Sequence, residues 1–360
     1  MTEHEPLTPP AGETPSERPP AGLLRRLVTA TVFSYGISLA LLVAGLELIG
    51  ERWWPLAVLL YLPQQLFWLP LIVLVPAALL ADAPRGAYRT LAGCVIIFFW
   101  HVPFYLGIGG GAGPGKMKVM TNNYGNNHRL SIQPFITAED PDFVALEDAG
   151  GAARGFHLAY PDRSVVGIGQ FVFISKAPVK SARLLDWPTW RGWPVAAVFD
   201  TEWQGKEVVF YAVHLPTPRG DFAKLAGLGL VKELAGRNRR RSDNLSFGES
   251  MTARVELGRE MATVFAAEKR PFIAMGDFNM PSQGYVHREV TWGMTDCFAR
   301  AGRGFGFTFP CDGWNPLTLG GPWLRIDYVL AGPGWRVGEC RVEPGRRSEH
   351  RAVVATVGRD

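Results

Sequence analysis

Three long apolar segments lie near the start of the chain, and shorter segments of strand-like or helix-like pattern follow them. The apolar segments cover residues 27–49, 54–80 and 87–108, and the first contains Glu47 as its single charged residue. About 20 apolar residues in a helix are enough to cross the hydrocarbon core of a bilayer. The pattern therefore predicts a three-helix transmembrane region over residues 23–108, with a buried helical core as the alternative.

The residues beside these segments predict their orientation. Arg25 and Arg26 precede the first segment, and Arg85 and Arg89 lie around the start of the third. Cytoplasmic flanks carry an excess of Arg and Lys, so we expect the N-terminus in the cytoplasm. Three crossings then place everything after the third segment on the extracytoplasmic side. Residues 1–22 are rich in Pro, Glu, Thr and Ser, which predicts a disordered tail.

The pattern changes after residues 109–115, whose glycines predict a flexible linker. Runs such as EVVFYAVHL in residues 116–360 predict strands. Apolar positions at helical spacing in MTARVELGREMATVFAAEKR predict one long helix. Many strands with few intervening helices indicate an α/β domain of sheets packed face to face, and not a regular βαβ repeat.

Charge and cysteine content exclude only a few functions and site types. The chain has 360 residues, enough for a large catalytic domain and an appendage, and its net charge of +4 does not demand a nucleic-acid partner. The four cysteines form no CxxC pair, so a structural zinc site is not expected. The spacing of Cys297 and Cys311 leaves open whether they form a disulfide.

Polar side chains recur where apolar strands end, and their types suit phosphate ester hydrolysis. A single polar strand end often marks only where the strand meets solvent, but six such places fit a common site better. Carboxylate and amide oxygens hold Mg²⁺, and a His backed by a carboxylate holds a proton near neutral pH. The chain contains neither a nucleophile elbow nor a Walker motif. The strand-end residues are Asn122, Asn123, Glu147, Asp148, His214, Asp277, Asn279, Asp327, Glu349 and His350.

Six motifs in order resemble the endonuclease/exonuclease/phosphatase superfamily over about residues 116–358. They are KVMTNNYGN, PDFVALED, YAVHLP, MGDFNMP, RIDYVL and SEHRAVVATV. The superfamily includes pancreatic-type DNases, apurinic endonucleases, bacterial sphingomyelinases and inositol-polyphosphate 5-phosphatases. The resemblance implies a four-layer sandwich of two mixed β-sheets flanked by helices. It also implies a metal-dependent hydrolase, with Mg²⁺ as the expected ion and Mn²⁺ or Ca²⁺ as alternatives.

The resemblance implies a role for each of five catalytic residues. His214 would contact the phosphate or help the leaving group, and so would also bind substrate. Asp277 would orient or deprotonate the attacking water, and Asn279 would hold a phosphoryl oxygen. Asp327 would pair with His350, which acts as a general base or stabilises the transition state.

Three residues match the positions around the metal: Asn123, Asp148 and Glu349. The sequence reads Leu-Glu-Asp where the superfamily usually has Leu-Gln-Glu, so Asp148 or Glu147 takes the main ligand role. Alternation along the strand favours Asp148. Similarly, Ser-Glu-His replaces the usual Ser-Asp-His, so Glu349 keeps the charge with a longer reach.

Two further segments bear on the substrate. The segment GRNRRRSDN at 236–244 includes Arg239 and Arg240, which we expect to bind phosphates of nucleic acid or of anionic lipid headgroups. A solvated loop is the alternative. Residues 184–203 contain four tryptophans that suit base stacking, a membrane interface or the core, and we favour the last two for most of them.

The sequence thus predicts a membrane-anchored, Mg²⁺-dependent phosphoesterase that acts on nucleic acid, a phospholipid headgroup or a smaller phosphate ester. A catalytically silent binding or anchoring module with the same fold is the alternative. No obligate protein partner is inferred.

Overall fold

The structure, a computed structural model, describes residues 22–113, 115–125, 130–187, 193–225, 229–234, 245–312 and 320–359. The predicted tail lies outside these residues, apart from Gly22. Arg239 and Arg240 also lie outside them, as does Trp190 of the tryptophan-rich segment.

The helices and strands of this part are numbered in chain order. The helices are α1 (Leu23–Leu48), α2 (Trp54–Leu60), α3 (Leu71–Leu80), α4 (Arg85–His101), α5 (Gln133–Glu139), α6 (Ala153–Ala159), α7 (Arg219–Ala223), α8 (Gly229–Leu234), α9 (Phe247–Ala267), α10 (Tyr285–Thr291) and α11 (Cys297–Ala301). The strands are β1 (Tyr105–Leu106), β2 (Met117–Asn123), β3 (Phe143–Glu147), β4 (Ser164–Ile168), β5 (Phe171–Ser175), β6 (Val179–Leu184), β7 (Ala196–Trp203), β8 (Lys206–His214), β9 (Phe272–Asp277), β10 (Thr295–Asp296), β11 (Arg303–Gly304), β12 (Asp327–Ala331), β13 (Arg336–Val342) and β14 (Val353–Gly358). Short 3-10 helices cover Gly50–Arg52 and Gln64–Trp68.

Two six-stranded mixed sheets form the centre of the molecule. Their strand orders are β10-β12-β9-β8-β7-β6 and β13-β14-β2-β3-β5-β4. Each sheet contains one parallel pair, β8–β9 in the first and β2–β3 in the second, and the other pairs are antiparallel. The predicted α/β fold with two mixed sheets is therefore confirmed.

Apolar side chains fill the space between the two sheets and on both outer faces. Phe143 and Phe173 of one sheet pack against Phe199 and Phe210 of the other, with ring centroids 4.4 and 4.5 Å apart for the nearest pairs. The outer face of the first sheet packs against α9 and α10. The outer face of the second sheet packs against α5 and α6. This alternation gives four layers, with helices outside and sheets inside.

The prediction of three membrane-spanning helices is wrong in its number. Helix α1, with 26 residues, is the one described helix long and apolar enough to cross a bilayer. The second segment is broken near Pro63, where Trp54–Leu60 and Gln64–Leu80 bend by 92°. These two pieces count as a second span only if the bend lies within it. The third segment forms helix α4, whose 17 residues are fewer than the roughly 20 that a membrane-spanning helix needs.

The N-terminal helices also pack directly on the sheet domain. Leu56 and Leu60 of α2 are buried against Leu324 and Ile326, close to the start of β12. Ala57 on the same helix contacts a cluster on α9. Part of the predicted linker is packed as well, since Ala112 is 8% exposed. The two regions therefore share a buried interface.

The cysteines and tryptophans raised by the sequence are placed as follows. All four cysteines are free thiols, so the disulfide left open for Cys297 and Cys311 is not present. Trp187 is buried in the layer between the first sheet and α9, and Trp203 packs on the core between the sheets. Trp193 is 51% exposed.

Candidate active site

Strand pairing brings the predicted residues to one edge of the two sheets. In the first sheet, His214 at the end of β8 pairs with Asp277 at the end of β9, and Asp277 pairs with Asp327 at the start of β12. In the second sheet, Asn123 at the end of β2 pairs with Glu147. Strand β14 runs antiparallel to β2, so its start meets the same edge and carries His350 just before it. This edge borders a cavity of about 240 Å³.

Asp277 occupies the centre of the cluster, and its carboxylate accepts three hydrogen bonds. Asn279 donates to it twice, from its backbone N–H to Oδ1 (2.9 Å) and from Nδ2 to Oδ2 (3.0 Å). Asn123 Nδ2 donates to the same Oδ2 across the gap between the sheets (2.9 Å). Burial raises the pKa of Asp277, while the neighbouring His350 opposes that rise. A carboxylate with a raised pKa is suited to accept a proton near neutral pH.

Gly276 lets β8 and β9 approach closely beside the site. Its φ is +147°, and a Cβ at this position would lie 1.9 Å from the backbone oxygen of Val213. A side chain here would push β9 away from β8 and separate Asp277 from His214.

His214 is oriented by Gln170, a residue that the sequence did not single out. Gln170 is 5% exposed, and its Oε1 lies 2.5 Å from His214 Nδ1. Because Oε1 can only accept, Nδ1 carries the proton and Nε2 is the acceptor nitrogen, with Asn123 Nδ2 3.5 Å away. Nε2 lies 3.7 Å from Asp277 Oδ2. Burial and the charge of His350 lower the pKa of His214 to about 4, so this ring is neutral at pH 7.

His350 forms a buried pair with Asp327. Its Nδ1 lies 3.0 Å from Asp327 Oδ2, and its Nε2 lies 3.7 Å from Asp277 Oδ2. Burial alone would lower the pKa of His350, but the Asp327 and Asp277 carboxylates outweigh it and raise this pKa to about 9. The ring of Phe309 lies against the imidazole, with centroids 4.6 Å apart. One histidine of the site is thus neutral and the other cationic.

The acidic pair at the end of β3 takes two different positions. The strand ends at Glu147, which points between the sheets on the same face as Phe143 and Ala145. Asp148 follows in a left-handed backbone conformation, with φ of 50°, so strand alternation stops one residue before it. Asp148 lines the cavity from its rim. Asp148 therefore lines the cavity, whereas Glu147 is fully buried between the sheets and is not among the lining residues.

The acidic groups fit a divalent cation. Thr121 Oγ1 donates to Glu147 Oε1 (2.8 Å), whereas Glu147 Oε2 is buried without a hydrogen-bond partner. Burial raises the pKa of Glu147 well above its ordinary value, and the charges of Asp327 and Asp277 add to the effect. A cation would balance this excess of buried negative charge. Side-chain atoms of Asp277, Asp327 and His350 also lie within 4.8 Å of one another, although His350 would have to lose its proton to act as a ligand.

The rim of the cavity carries Glu349 and Arg219. Glu349 Oε1 lies 3.3 Å from Arg219 Nη1, and this guanidinium lies 5.3 Å from the centre of the Phe309 ring. Arg219 is a second residue that sequence reasoning missed, because its segment TPRGDF carries no recognisable motif. The pair places both charge signs and an aromatic face at the entrance.

Comparison with known proteins gives one family match. The model of the Endonuclease/Exonuclease/phosphatase family matches residues 108–350. This match confirms the resemblance that the six motifs indicated. No curated protein matches the sequence.

Several solved structures are similar to this chain. An endonuclease/exonuclease/phosphatase family protein from Bacteroides thetaiotaomicron is 15% identical, with a TM-score of 0.48 over 68% of this chain and 95% of that one. Humanized TDP2 of D. rerio is 13% identical, with a TM-score of 0.49 over 68% and 99% of the two chains. Mannosyl-6-phosphatase Bt3783 of B. thetaiotaomicron is 14% identical, with a TM-score of 0.46 over 67% and 99%. Because these identities and TM-scores are low, the assignment of the chain to a family rests on the family match alone.

Proposed function

Because the chain belongs to the Endonuclease/Exonuclease/phosphatase family, whose members hydrolyse phosphate esters, we propose that it is a membrane-anchored, Mg²⁺-dependent phosphoesterase. The observation that carries this proposal is the meeting of Asp277, His214 and the Asp327–His350 pair at one cavity. These side chains come from four separate parts of the chain. Together they supply a proton acceptor, a neutral imidazole and a buried cation, which can assist the attack of water on a phosphate ester.

The residues divide the chemistry by their charge. Asp277 orients the attacking water and accepts its proton, because its raised pKa allows this near pH 7. The cationic His350 donates to a phosphoryl oxygen on which negative charge grows. His214 offers Nε2 as an acceptor beside Asp277. Asn279 holds the Asp277 carboxylate and lines the cavity where a phosphoryl oxygen would lie.

Glu147, Asp148 and the side-chain oxygen of Asn123 are the residues that would hold the metal. A bound Mg²⁺ would neutralise phosphoryl charge and orient the substrate. Glu349 lies at the rim with Arg219, so we assign it to the entrance of the site, where it reaches the metal only if that ion pair opens.

Exposed apolar side chains support the membrane anchor. Of the 31 large hydrophobic residues that are exposed in the described part of the chain, 23 lie between Leu23 and Ile108. This region includes α1, which has the length of a span. Water does not favour so large an apolar surface, whereas lipid does. Since Arg25 and Arg26 lie in the first turn of α1, a single crossing would also leave the sheet domain outside the cytoplasm.

The entrance of the cavity suits the phosphodiester of a nucleic acid or a phospholipid headgroup. Arg219 would contact a second phosphate, and Phe309 offers a flat apolar face. Both substrate classes present these features, so the assay below includes both.

A hydrolysis assay on the full-length protein in detergent tests the proposal. Full-length protein is needed because α2 covers part of the sheet domain. We expect Mg²⁺-dependent cleavage of bis-p-nitrophenyl phosphate that EDTA abolishes and added Mg²⁺ restores. Plasmid DNA and sphingomyelin vesicles, assayed in parallel, identify the substrate class. We expect Asp277→Ala and His350→Ala to lose at least about a hundredfold in kcat. Wild-type inactivity on all three substrates would instead favour the silent binding module.

A further inference from the structure

We infer that Tyr61, a residue of the apolar N-terminal region, is a positioning residue for the catalytic carboxylate Asp277. Tyr61 follows α2 directly, at the break in the second apolar segment, and is 9% exposed. Its hydroxyl donates to the backbone oxygen of Asn279 (2.9 Å). The inference rests on the proposed function, since it assigns Tyr61 a role at that same site.

The contact belongs to a closed set of buried hydrogen bonds. Arg254 on α9 donates from Nη2 to the same Asn279 oxygen (2.6 Å) and to the Tyr61 hydroxyl (3.1 Å). Arg254 and Asn279 are 4% and 5% exposed. In such surroundings, each lost hydrogen bond leaves a polar group that water does not readily reach. The Asn279 oxygen is therefore fixed from one side by α9 and from the other by the N-terminal region.

The position of the Asn279 backbone determines the position of the Asp277 carboxylate. Asn279 has a φ of +47°, a left-handed conformation that a non-glycine residue adopts at a cost of about 1 kcal/mol. In this conformation its backbone N–H and its Nδ2 both donate to Asp277. The path from Tyr61 to the carboxylate thus contains a single residue.

A second contact holds the far end of the same segment. Glu51, in the 3-10 helix before α2, is 1% exposed and accepts from the backbone N–H of Tyr285 (2.7 Å). Gly284 lies so close to this carboxylate that a Cβ there would be 2.3 Å from Glu51 Oε1. The N-terminal region therefore forms hydrogen bonds with both ends of residues 279–285. An uninterrupted second span would carry Tyr61 away from Asn279, so the break at Pro63 has a structural reason.

Tyr61→Phe tests this role because it removes one oxygen and keeps the ring. The matched control is Tyr35→Phe, whose hydroxyl donates to the backbone oxygen of Phe67 within the N-terminal helices (2.9 Å) and has no contact with the site. In full-length protein we expect Tyr61→Phe to lower kcat roughly three- to tenfold with KM unchanged. Tyr35→Phe should keep the wild-type kcat.

A double-variant cycle separates positioning from general stability. If Tyr61 acts through Asp277, then adding Tyr61→Phe to Asp277→Ala should lower the residual kcat by less than about twofold. A fully additive loss would overturn the inference, as would equal kcat for Tyr61→Phe and wild type.

Amide hydrogen exchange gives a readout that needs no activity. We expect residues 278–283 to exchange faster in Tyr61→Phe than in Tyr35→Phe, with the rest of the sheet domain unchanged. Unchanged exchange in this segment, or a uniform rise over the whole chain, would overturn the inference. If the wild-type protein cleaves no phosphate ester, the proposed function fails, and the exchange result still decides the role of Tyr61.

Discussion

His350 and Asp327 form a buried ion pair, with Nδ1 3.0 Å from Oδ2 and the two side chains 9% and 0% exposed. They belong to different sheets, since Asp327 starts β12 of one sheet and His350 precedes β14 of the other. The pair therefore links the two sheets at the site and also sets the charge of the histidine.

We expect this pair to stabilise the fold in a pH-dependent way. The pKa of His350 is raised from about 6.5 in the unfolded chain to about 9 in the folded one. Its contribution is therefore fully present below about pH 6.5 and is lost as the pH rises through 9. In EDTA, the difference in free energy of unfolding between wild type and Asp327→Asn should be on the order of 2 kcal/mol at pH 6.5 and should shrink towards pH 10. A difference that stays constant over this range would contradict the assignment of the charge.

Gln170 should matter for activity although it touches no reacting group. Gln170→Leu removes the acceptor of His214 Nδ1–H, so the ring loses its fixed tautomer and orientation. We expect kcat to fall roughly tenfold, together with some loss of thermal stability, because Gln170 Nε2 also donates to the backbone oxygen of Pro194. Gln170→Glu keeps an acceptor at the same place and should retain more activity than Gln170→Leu. Equal activity of the two variants would show that the contact does not orient His214.

Gly276→Ala should disrupt the fold around the site. The new Cβ would overlap the backbone oxygen of Val213, and a φ of +147° suits only glycine. We expect a loss of about 3 kcal/mol or more in the free energy of unfolding, measured by chemical denaturation. Gly151→Ala is the control, since a Cβ there would have no neighbouring atom within 4 Å and its φ is ordinary. Similar stability of the two variants would refute the close approach of β8 and β9.

Lysines on the apolar N-terminal surface should weaken membrane binding. Ile72 and Leu80 are 70% and 87% exposed. We expect the double variant Ile72→Lys/Leu80→Lys to partition less into phosphatidylcholine vesicles than wild type, with an unchanged kcat in detergent. Trp292→Lys changes a side chain that is 88% exposed on the sheet domain and serves as the control. If the control and the double variant partition equally, this surface does not face lipid.

The sequence was most informative where a strand ends in a polar residue. His214, Asp277 and Asp327 could be predicted together, because strand ends of one sheet meet at one edge and each residue closes or opens an apolar run. Gln170 could not be predicted in this way. It lies in the turn between β4 and β5, and its function depends on a histidine 44 positions away.

The remaining differences between the sequence-based predictions and the structure arise from backbone turns and tertiary contacts. Alternation favoured Asp148, but β3 ends one residue earlier, because the chain turns through a left-handed conformation there. From its hydropathy alone, the second apolar segment was predicted to be a membrane-spanning helix. The contacts of Glu51 and Tyr61 with the sheet domain, which no local pattern encodes, accompany its break instead.

The position of β14 beside β2 has a consequence for synthesis of the protein. Strand β2 is made early, yet its neighbour β14 in the sheet, and the histidine that precedes β14, are made much later. Likewise, the hydrogen bond from Asn123 to Asp277 cannot form until Asp277, 154 positions further along the chain, has been synthesised. The emerging polypeptide therefore has its apolar N-terminal helices available to a membrane long before it has a complete cavity. The cavity can be complete only after β14 has left the ribosome.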